Sequence, residues 1–493
     1  MNGLFNRPII YLLTLIPSFL FAADNTNDNE LNDLLQGFDS TPTEIDKDNI
    51  DDVLQGFDDQ PANKKDNIDQ LFSGFEEEQS IVKDVPKVSD KKWDITTLLS
   101  FSSSYNYQRR KPATGETDYR GLSRLKFKLQ PEFRYKINTK WDTLISGNAF
   151  YDAIYRTNGR SNYTKATLDS NESELEFREV YIRGTLNNDF DVKFGRQIVV
   201  WGKSDSIRVV DVLNPLDFRE PGMVDIEDLR LPVTMLKADY YFSDWNISAI
   251  VIPEIRFNKM PAYGSDFDLS NSTPPHEEIP DNLINPEFAL ALNGVFSGWD
   301  LSFHLARYYD DQAHLVSPPD PQKPSLKHSQ LNMIGAAGNL ALGNWLLKME
   351  SAFIDGLEFN QSQQTFSRLD IMFGADYSGF TDTTLSVEIA NRHLNDYSNL
   401  LSLSPDSTEE NEGQIAFRYT GTFMREKLQL VALASILGTN SDSGAFYRAS
   451  MEYEIMDAFS VMLGGIVYQS GDSFLINQIA DNDRVFFDIR YSF

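Results

Sequence analysis

The sequence contains no cysteine, which excludes disulfide bonds, thiol catalysis and cysteine-bound zinc. It has five histidines in 493 residues, and no two of them have the spacing of a metal site. Basic residues number 44 against 73 acidic ones, and the formal net charge of −29 argues against nucleic acid as a partner. We therefore expect no metal, no cofactor and no nucleic-acid interface.

Long hydrophobic runs are also missing. No stretch reaches the ~20 apolar residues that a membrane-spanning helix needs, and the mean hydropathy is −0.37. Aromatic residues are plentiful instead, with 34 Phe and 21 Tyr. A transmembrane β-barrel can be this polar, because only every second residue of a strand faces lipid.

The N-terminus has the form of a secretory signal. Arg7 gives a weakly positive start, residues 9–21 are apolar, and Ala22 or Ala23 offers a cleavage site. The alternative is an N-terminal membrane anchor, but the apolar run is too short to span a bilayer as a helix. We expect a signal peptide over residues 1–22 and an exported chain.

Residues 23–92 form an acidic segment of low complexity, which predicts a largely disordered periplasmic tail. A motif resembling LxxLLxGF occurs in it three times, at 31–38, 50–57 and 68–75. Its apolar positions fall on one face of about two helical turns, which is too short for a stable helix alone. Three copies could dock onto a partner's groove and gain avidity; the alternative is a spacer without a binding role. The predicted docking residues are Leu34, Leu35, Phe38, Val53, Leu54, Phe57, Leu71, Phe72 and Phe75.

From Trp93 onward, apolar and polar residues alternate with a period of two, as in amphipathic strands. Clear examples are 124–137, 368–377, 414–423 and 447–455. Each has the roughly nine residues or more that a tilted membrane strand needs. The pattern predicts a transmembrane antiparallel β-barrel over residues 93–493. A large secreted β-sandwich is the soluble alternative.

The connections alternate in length. Short turns are predicted near 138–139, 187–188, 243–244, 297–298, 343–344, 379–382, 425–426 and 456–457. Longer polar loops are predicted at about 110–121, 157–172, 202–232, 255–285, 310–328, 357–364, 394–412, 438–444 and 470–483. Short periplasmic turns and longer external loops are typical of outer-membrane barrels. This arrangement predicts about 18 strands, with 16 possible because the strand over 174–186 changes phase near Arg178, at a bulge or a miscounted strand.

Aromatic residues flank the short turns, as an interfacial girdle would. They are Trp141, Phe190, Trp245, Trp299, Trp345 and Phe380. The last residues, 484–493, alternate once more and end on Tyr491 and Phe493. This pattern is similar to the C-terminal signature that the barrel-assembly machinery reads in outer-membrane barrels, so both aromatics are predicted to be an assembly signal. The strand is expected to lie between 459–468 and, by closure, 95–107.

Residues 194–233 carry a further resemblance. Arg196 and Gln197 follow Gly195, Trp201 precedes Gly202, and an Asn-Pro-Leu-Asp run begins at Asn214. This order resembles a family of proteobacterial outer-membrane barrels known only as a domain of unknown function, and the resemblance covers residues 93–493. It implies a porin-like barrel. Some members are encoded near exporters of the RND superfamily, which implies a hydrophobic cargo.

The loop over 202–232 is long and dense in both signs of charge. We predict that it folds into the lumen and forms a charged constriction with a basic row on the strand at 124–136. The alternative is that these charges pair with each other and close the lumen structurally. The predicted constriction residues are Arg124, Lys126, Lys128, Arg134, Lys136, Asp205, Arg208, Asp211, Asp217 and Arg219.

Catalysis has little support in the sequence. His304 is predicted to face the lumen, and Asn391, Arg392 and His393 lie at a strand end near the outer rim. A Ser/His/carboxylate site is conceivable there, but no nucleophile motif supports it. We expect no catalytic residue and no enzyme.

Together these patterns favour a passive channel or transport component of the outer membrane, in contact with lipid and with its N-terminal segment in the periplasm. The first alternative is an outer-membrane partner of a periplasmic or inner-membrane exporter, docked through the repeats. The second alternative is an outer-membrane hydrolase.

Overall fold

The computed structural model describes residues 91–493, apart from 225, 270–272, 281–283, 317–323, 361, 363, 404–405 and 441. Eighteen antiparallel strands form one sheet in this part of the chain. They are β1 Trp93–Asn106, β2 Gly121–Lys136, β3 Trp141–Asp152, β4 Ser173–Asn187, β5 Phe190–Gln197, β6 Val233–Phe242, β7 Trp245–Ile252, β8 Glu287–Phe296, β9 Trp299–Tyr309, β10 Gln330–Leu342, β11 Trp345–Leu357, β12 Phe366–Phe380, β13 Thr383–Leu394, β14 Asn411–Phe423, β15 Leu428–Leu437, β16 Gly444–Met456, β17 Phe459–Gln469 and β18 Arg484–Ser492.

The sheet closes on itself, because β1 pairs with both β2 and β18. Ser100 lies opposite Lys128 on one side and Arg490 on the other. The backbones of Thr97 and Phe493 exchange hydrogen bonds of 2.8 and 3.0 Å at this seam. The predicted closed barrel, its 18 strands and the neighbours of the last strand are confirmed, as is the alternation of eight short turns with nine longer loops.

Apolar side chains face outward along the strands. On β2, Phe127 is 51% exposed, whereas its neighbour Lys126 faces the lumen; on β12, Phe373 is 58% exposed and Asp370 is buried. An outward apolar surface on a closed sheet is the architecture of outer-membrane barrels, since closure pairs every strand edge. Near the turns the aromatic rings contact one another, as in the pairs Trp245–Phe296 and Trp345–Tyr377.

The phase change in β4 is a bulge. Ile145 of β3 pairs with Val180 and Gly147 pairs with Phe177, so Ser146 alone faces two residues of β4. The Ser146 hydroxyl accepts a 2.9 Å hydrogen bond from the backbone N–H of Glu179 and so compensates for the broken ladder. The alternative of a miscounted strand is therefore wrong.

The longer loops carry the remaining short elements. These are helices α1 Ile154–Thr157, α2 Lys165–Asn171, α3 Ile226–Leu229 and α4 Phe474–Ile479, a 3-10 helix at Arg160–Asn162, and a small sheet of His276–Glu277, His314–Val316 and Ser325–Lys327. Within the described ranges, no helix is long and apolar enough to cross a membrane.

Candidate functional site: the loop inside the barrel

The connection between β5 and β6, residues 198–232, enters the barrel. Its first part carries apolar residues that are nearly inaccessible to solvent: Val199, Trp201, Ile207, Val209, Val210 and Leu213. They pack on small or apolar side chains that face the lumen from β6 to β14, such as Ala291, Met333, Ala352 and Ala416. We call residues 198–213 the packed segment and the lumen face of β6–β14 the apolar wall.

The fit between the packed segment and the wall is close. A Cβ atom built on Gly335 of β10 would lie 2.8 Å from Cγ1 of Val210, so a glycine there lets the loop backbone approach the sheet. The ring of Trp201 lies 4.6 Å, between centroids, from the ring of His304, which is 2% exposed. His304 thus lies on the lumen side of β9, where its ring packs against the ring of Trp201.

Two buried glutamates of the wall hold the backbone of the packed segment. Glu350 of β11 accepts hydrogen bonds from the N–H groups of Lys203, Ser204 (2.7 Å) and Val210 (3.3 Å). Each glutamate is 1% exposed. These carboxylates satisfy backbone donors that would otherwise be buried without partners.

Glu388 of β13 does the same for the next turn of the loop. It accepts from the N–H groups of Asp205 (2.8 Å), Ser206 (3.0 Å) and Ile207 (3.1 Å), and from the hydroxyl of Ser204 at 2.7 Å. We call Glu350 and Glu388 the latch glutamates.

Ion pairs add to the latch. Lys203 of the loop lies 2.6 Å from Asp300 of β9. Lys348 of β11 pairs with the loop's Asp205 and, at 2.7 Å, with Asp376 of β12. The predicted site residue Asp205 is therefore bound to the wall.

Other predicted charges pair within the loop itself. Asp211 lies 2.9 Å from Arg230 and 3.3 Å from Arg208, which also donates to the carbonyl of Asn214. Asn214 is fully buried; it accepts from the N–H of Val199 at 2.8 Å and donates to the carbonyl of Leu231 at 2.9 Å. This network joins the start of the loop to its end.

The second part of the loop, residues 214–232, returns toward the opposite side of the lumen. Arg219 pairs with Asp217 and, at 2.7 Å, with Glu174 of β4. The Leu216–Arg230 bridge and the Asp217–Lys259 bridge hold it against neighbouring loop residues. We call residues 214–232 the return segment.

Glu220, at the tip of the return segment, contacts the basic row of β2. Its carboxylate pairs with Arg124 and lies 3.5 Å from Lys126. Burial opposes ionisation of Glu220, but the two cations outweigh it and hold the pKa of the carboxyl below its ordinary value. The wall of β16–β18 and β1–β4, which carries many of these charges, is called the charged wall.

The basic row is used unevenly. Arg124 and Lys126 meet Glu220, whereas Arg134 pairs with Glu132 of its own strand at 2.6 Å. Lys136 is exposed near the turn that follows β2. Lys128 faces the lumen between Lys126 and Gln130 and is half-buried. The structure thus brings two of the five predicted basic residues to the loop.

Sequence reasoning missed the latch glutamates, Lys348 and Asp300. A signal existed, since Glu350 and Glu388 fall on the inward phase of β11 and β13, together with the charged residues Lys348 and Arg392. The sequence alone does not show which backbone N–H groups of the loop these two glutamates bind. The predicted docking residues of the repeats and the signal peptide lie outside the described residues.

The histidines of the external loops tie loops together. His314 Nε2 lies 3.0 Å from Glu358 and its Nδ1 lies 3.3 Å from the Ser329 hydroxyl. Glu358, His314 and Ser329 are the residue types of a hydrolase triad, and Ser329 is 4% exposed among the described residues. His393, at the outer rim, contacts Asn411 at 3.0 Å. No group of carboxylates and histidines suited to a metal occurs among the described residues.

Comparisons with solved structures return bacterial outer-membrane proteins. OccAB2 of Acinetobacter baumannii is 10% identical, with 81% of this chain and 98% of that chain covered and a TM-score of 0.48. OccK1 (OpdK) of Pseudomonas aeruginosa is 9% identical, with 81% and 98% covered and a TM-score of 0.48. A loop-deletion mutant of OmpT, an outer membrane protein of Vibrio cholerae, is 11% identical, with 81% and 99% covered and a TM-score of 0.38.

No curated protein matches the chain. A family model described as a protein of unknown function, DUF1302, matches residues 88–493, which spans every strand of the barrel and includes the stretch at 194–233 that carries the resemblance. The protein, an outer-membrane β-barrel, therefore belongs to the DUF1302 family.

Proposed function

We propose that the protein is a porin-like channel of the outer membrane, in which solutes diffuse through a charged lumen narrowed by the loop at 202–232. The observation that carries this proposal is the course of that loop. It contacts Glu350 and Glu388 on one side of the barrel and Arg124 on the other. A loop that reaches both walls reduces the bore to the space beside it.

That space is bordered by the charged wall. Lumen-facing side chains there keep partial exposure, as Arg490 does at 38% and Ser100 and Lys128 do to a lesser degree. Ser100 of β1, a small side chain, lies between the basic residues Lys128 of β2 and Arg490 of β18. The apolar wall, by contrast, is covered by the packed segment. These differences favour a solute path along β18, β1 and β2.

Planar-bilayer recording of the full chain tests the proposal. The wild-type protein should form ion-conducting channels, and a Lys126→Glu/Lys128→Glu variant should shift selectivity toward cations, because it reverses two charges at the narrowing. Glu454→Lys provides a control with a lumen charge reversed near the turn that follows β16. Absence of conductance would refute the channel; unchanged selectivity would refute the narrowing at Lys126 and Lys128.

A second function, docking to an exporter, is favoured by the three repeats at 31–38, 50–57 and 68–75. In this proposal the N-terminal segment lies in the periplasm and its apolar positions bind a periplasmic or exporter protein. Deleting residues 24–91 separates the two functions. A simple channel should keep conductance and cellular function, whereas a docked component should keep conductance and lose function in the cell.

We also propose that the aromatic residues at the end of β18 act as a signal for barrel assembly. Tyr491 and Phe493 stack with ring centroids 5.5 Å apart, and both are exposed on the outer side of the seam. An exposed aromatic pair there suits recognition by the barrel-assembly machinery. Substituting both with alanine should lower the amount of folded barrel in the membrane, while a Phe423→Ala change, at an exposed aromatic of β14, should not.

A further inference from the structure

The contact of Glu220 with β2 has an unusual composition. Arg124 is 9% exposed, and its Nε atom is buried with no hydrogen-bond partner in the described part of the chain. Among the described residues, Glu220 is the one carboxylate within ion-pairing distance of Arg124 or Lys126. Arg124 and Lys126 therefore form a pair of cations in the wall, and Glu220 is the carboxylate that pairs with them. In the described part of the chain, Nε of Arg124 remains as a donor without a hydrogen-bond acceptor.

The loop backbone around Glu220 is fixed by other contacts. The hydroxyl of Tyr468 donates to the carbonyl of Pro221 at 2.6 Å. Gly222 has a φ of +75°, and a Cβ there would lie 2.7 Å from Cδ1 of Ile466. Met223 is 4% exposed. The carboxylate can consequently leave the cations by rotation of its own side chain, without release of the loop.

A small polar cavity adjoins this site. Its volume is about 20 Å³, enough for one water molecule. The lining includes Lys126, Glu220, Tyr119 and Asp152. Space of this kind next to the ion pair accommodates a change in position of the Glu220 carboxylate.

We infer that Arg124 and Lys126 form a carboxylate-binding site in the channel wall and that Glu220 is its tethered occupant, displaced by a solute with a single carboxylate. This inference rests on the proposed channel function and names its solute class. A solute carboxylate can reproduce the charge-assisted contacts of Glu220, whereas a neutral or cationic solute leaves the buried cations unpaired.

The neighbouring carboxylates restrict the charge of the solute. Asp152 of β3 lies opposite Lys126, and Asp488 of β18 lies opposite Ser102, which itself lies opposite Lys126. Both carboxylates act electrostatically on Arg124. A dianion would meet their repulsion, so the site suits a monocarboxylate.

Acetate is the probe, and binding is measured by carbon-13 NMR line broadening on the full chain refolded in detergent. Glu220→Ala should bind acetate about tenfold more tightly than the wild type, since the competing carboxylate is gone. Adding Arg124→Gln, or Lys126→Gln if that variant does not fold, should abolish the gain. Glu132→Ala removes the same charge from β2, where Glu132 pairs with Arg134, and should leave acetate binding at the wild-type level.

Bilayer recording separates this inference from the channel proposal. In Glu220→Ala, the reversal potential in a salt gradient should shift in the direction of greater anion selectivity. Acetate should reduce the chloride current, and this reduction should saturate as the acetate concentration rises. Conducting channels in which Glu220→Ala and the wild type respond to acetate alike would overturn the site and leave the channel proposal standing. Acetate binding that depends on Arg124, in a protein without conductance, would overturn the channel proposal and leave the site standing.

Discussion

The two halves of the loop are held by different forces. The packed segment buries Trp201 and Val210 on the apolar wall and is fixed by the latch glutamates. The return segment reaches the charged wall through ion pairs of Arg219 and Glu220, and the Glu220 side chain is 33% exposed. Each buried large apolar side chain contributes roughly 1.5–3 kcal/mol, and a small solute cannot replace this packing. An ion pair, by contrast, persists when one partner is exchanged for another group of the same charge. We therefore expect the packed segment to narrow the lumen permanently, and the return segment to make contacts that a solute can exchange.

Removing the latch glutamates should have the largest effect on the difference between the two halves of the loop. In Glu350→Ala/Glu388→Ala, the backbone N–H groups of residues 203–205 and 210 lose their carboxylate acceptors in a buried site, at a cost of about 1–3 kcal/mol each. The N–H groups of Ser206 and Ile207 keep the Ser204 hydroxyl as an acceptor. We expect the packed segment to leave the wall and single-channel conductance to rise several-fold.

The matched control for the latch is Glu350→Gln/Glu388→Gln. Each amide keeps one accepting oxygen in a side chain of the same shape, but its NH2 group meets N–H donors at the position of the other oxygen. Conductance should therefore rise less than in the alanine variant, to an intermediate value. If the alanine variant conducts like the wild type, the latch glutamates do not keep the loop in the lumen.

A larger side chain at Gly335, beneath Val210, should also increase conductance, but by less. Gly335→Leu places a side chain where Cγ1 of Val210 already lies, and such overpacking costs typically about 1–3 kcal/mol. Conductance should increase less than in the alanine latch variant. Gly465→Leu is the control, because a Cβ at Gly465 of β17 meets nothing closer than 3.5 Å.

The barrel could be predicted from the sequence because its strands are specified locally. Alternation over 124–137 fixes which side of β2 faces lipid, and turn spacing fixes the number of strands. The conspicuous charges of residues 202–232 likewise indicated a loop with a role in the lumen. Each of these inferences uses residues close together in the chain.

The latch could not be predicted in this way. Glu350 and Ser204 are 146 residues apart, and their contact depends on the register of every strand between β5 and β11. The basic row shows the same limit, since Arg134 and Lys126 belong to one alternating pattern but only Lys126 lies at the height of Glu220. A repeating pattern gives the face of a strand, whereas the level at which a loop crosses the lumen comes from the folded chain.

Ionic strength should sharpen the contrast between the two halves. The screening length falls from about 10 Å at 0.1 M salt to about 3 Å at 1 M, which weakens the partly exposed contacts of Glu220 more than the buried packing of Trp201. We expect ion selectivity to decline with salt, while conductance normalised to bulk conductivity changes little. A normalised conductance that rises with salt would show that the ion pairs, and not the packing, hold the loop.

The smallest expected effect concerns pH at the outer rim. Burial raises the pKa of Asp311, in the loop after β9, to about 7 from 3.8, with Asp310 and Glu287 adding to the shift and Arg208 opposing it. The folded loop therefore binds this proton more tightly than the unfolded chain does. Its stability should fall as the pH rises from about 4 to 7 and stay constant above that. Hydrogen exchange of residues 310–316, corrected for intrinsic rates, should show this dependence, and Asp311→Asn should remove it. Conductance should stay constant over the same range, because Glu220 remains ionised and the packed segment is held by burial. A conductance that follows the titration of Asp311 would mean that the electrostatic interaction of Asp311 with Arg208 controls the packed segment.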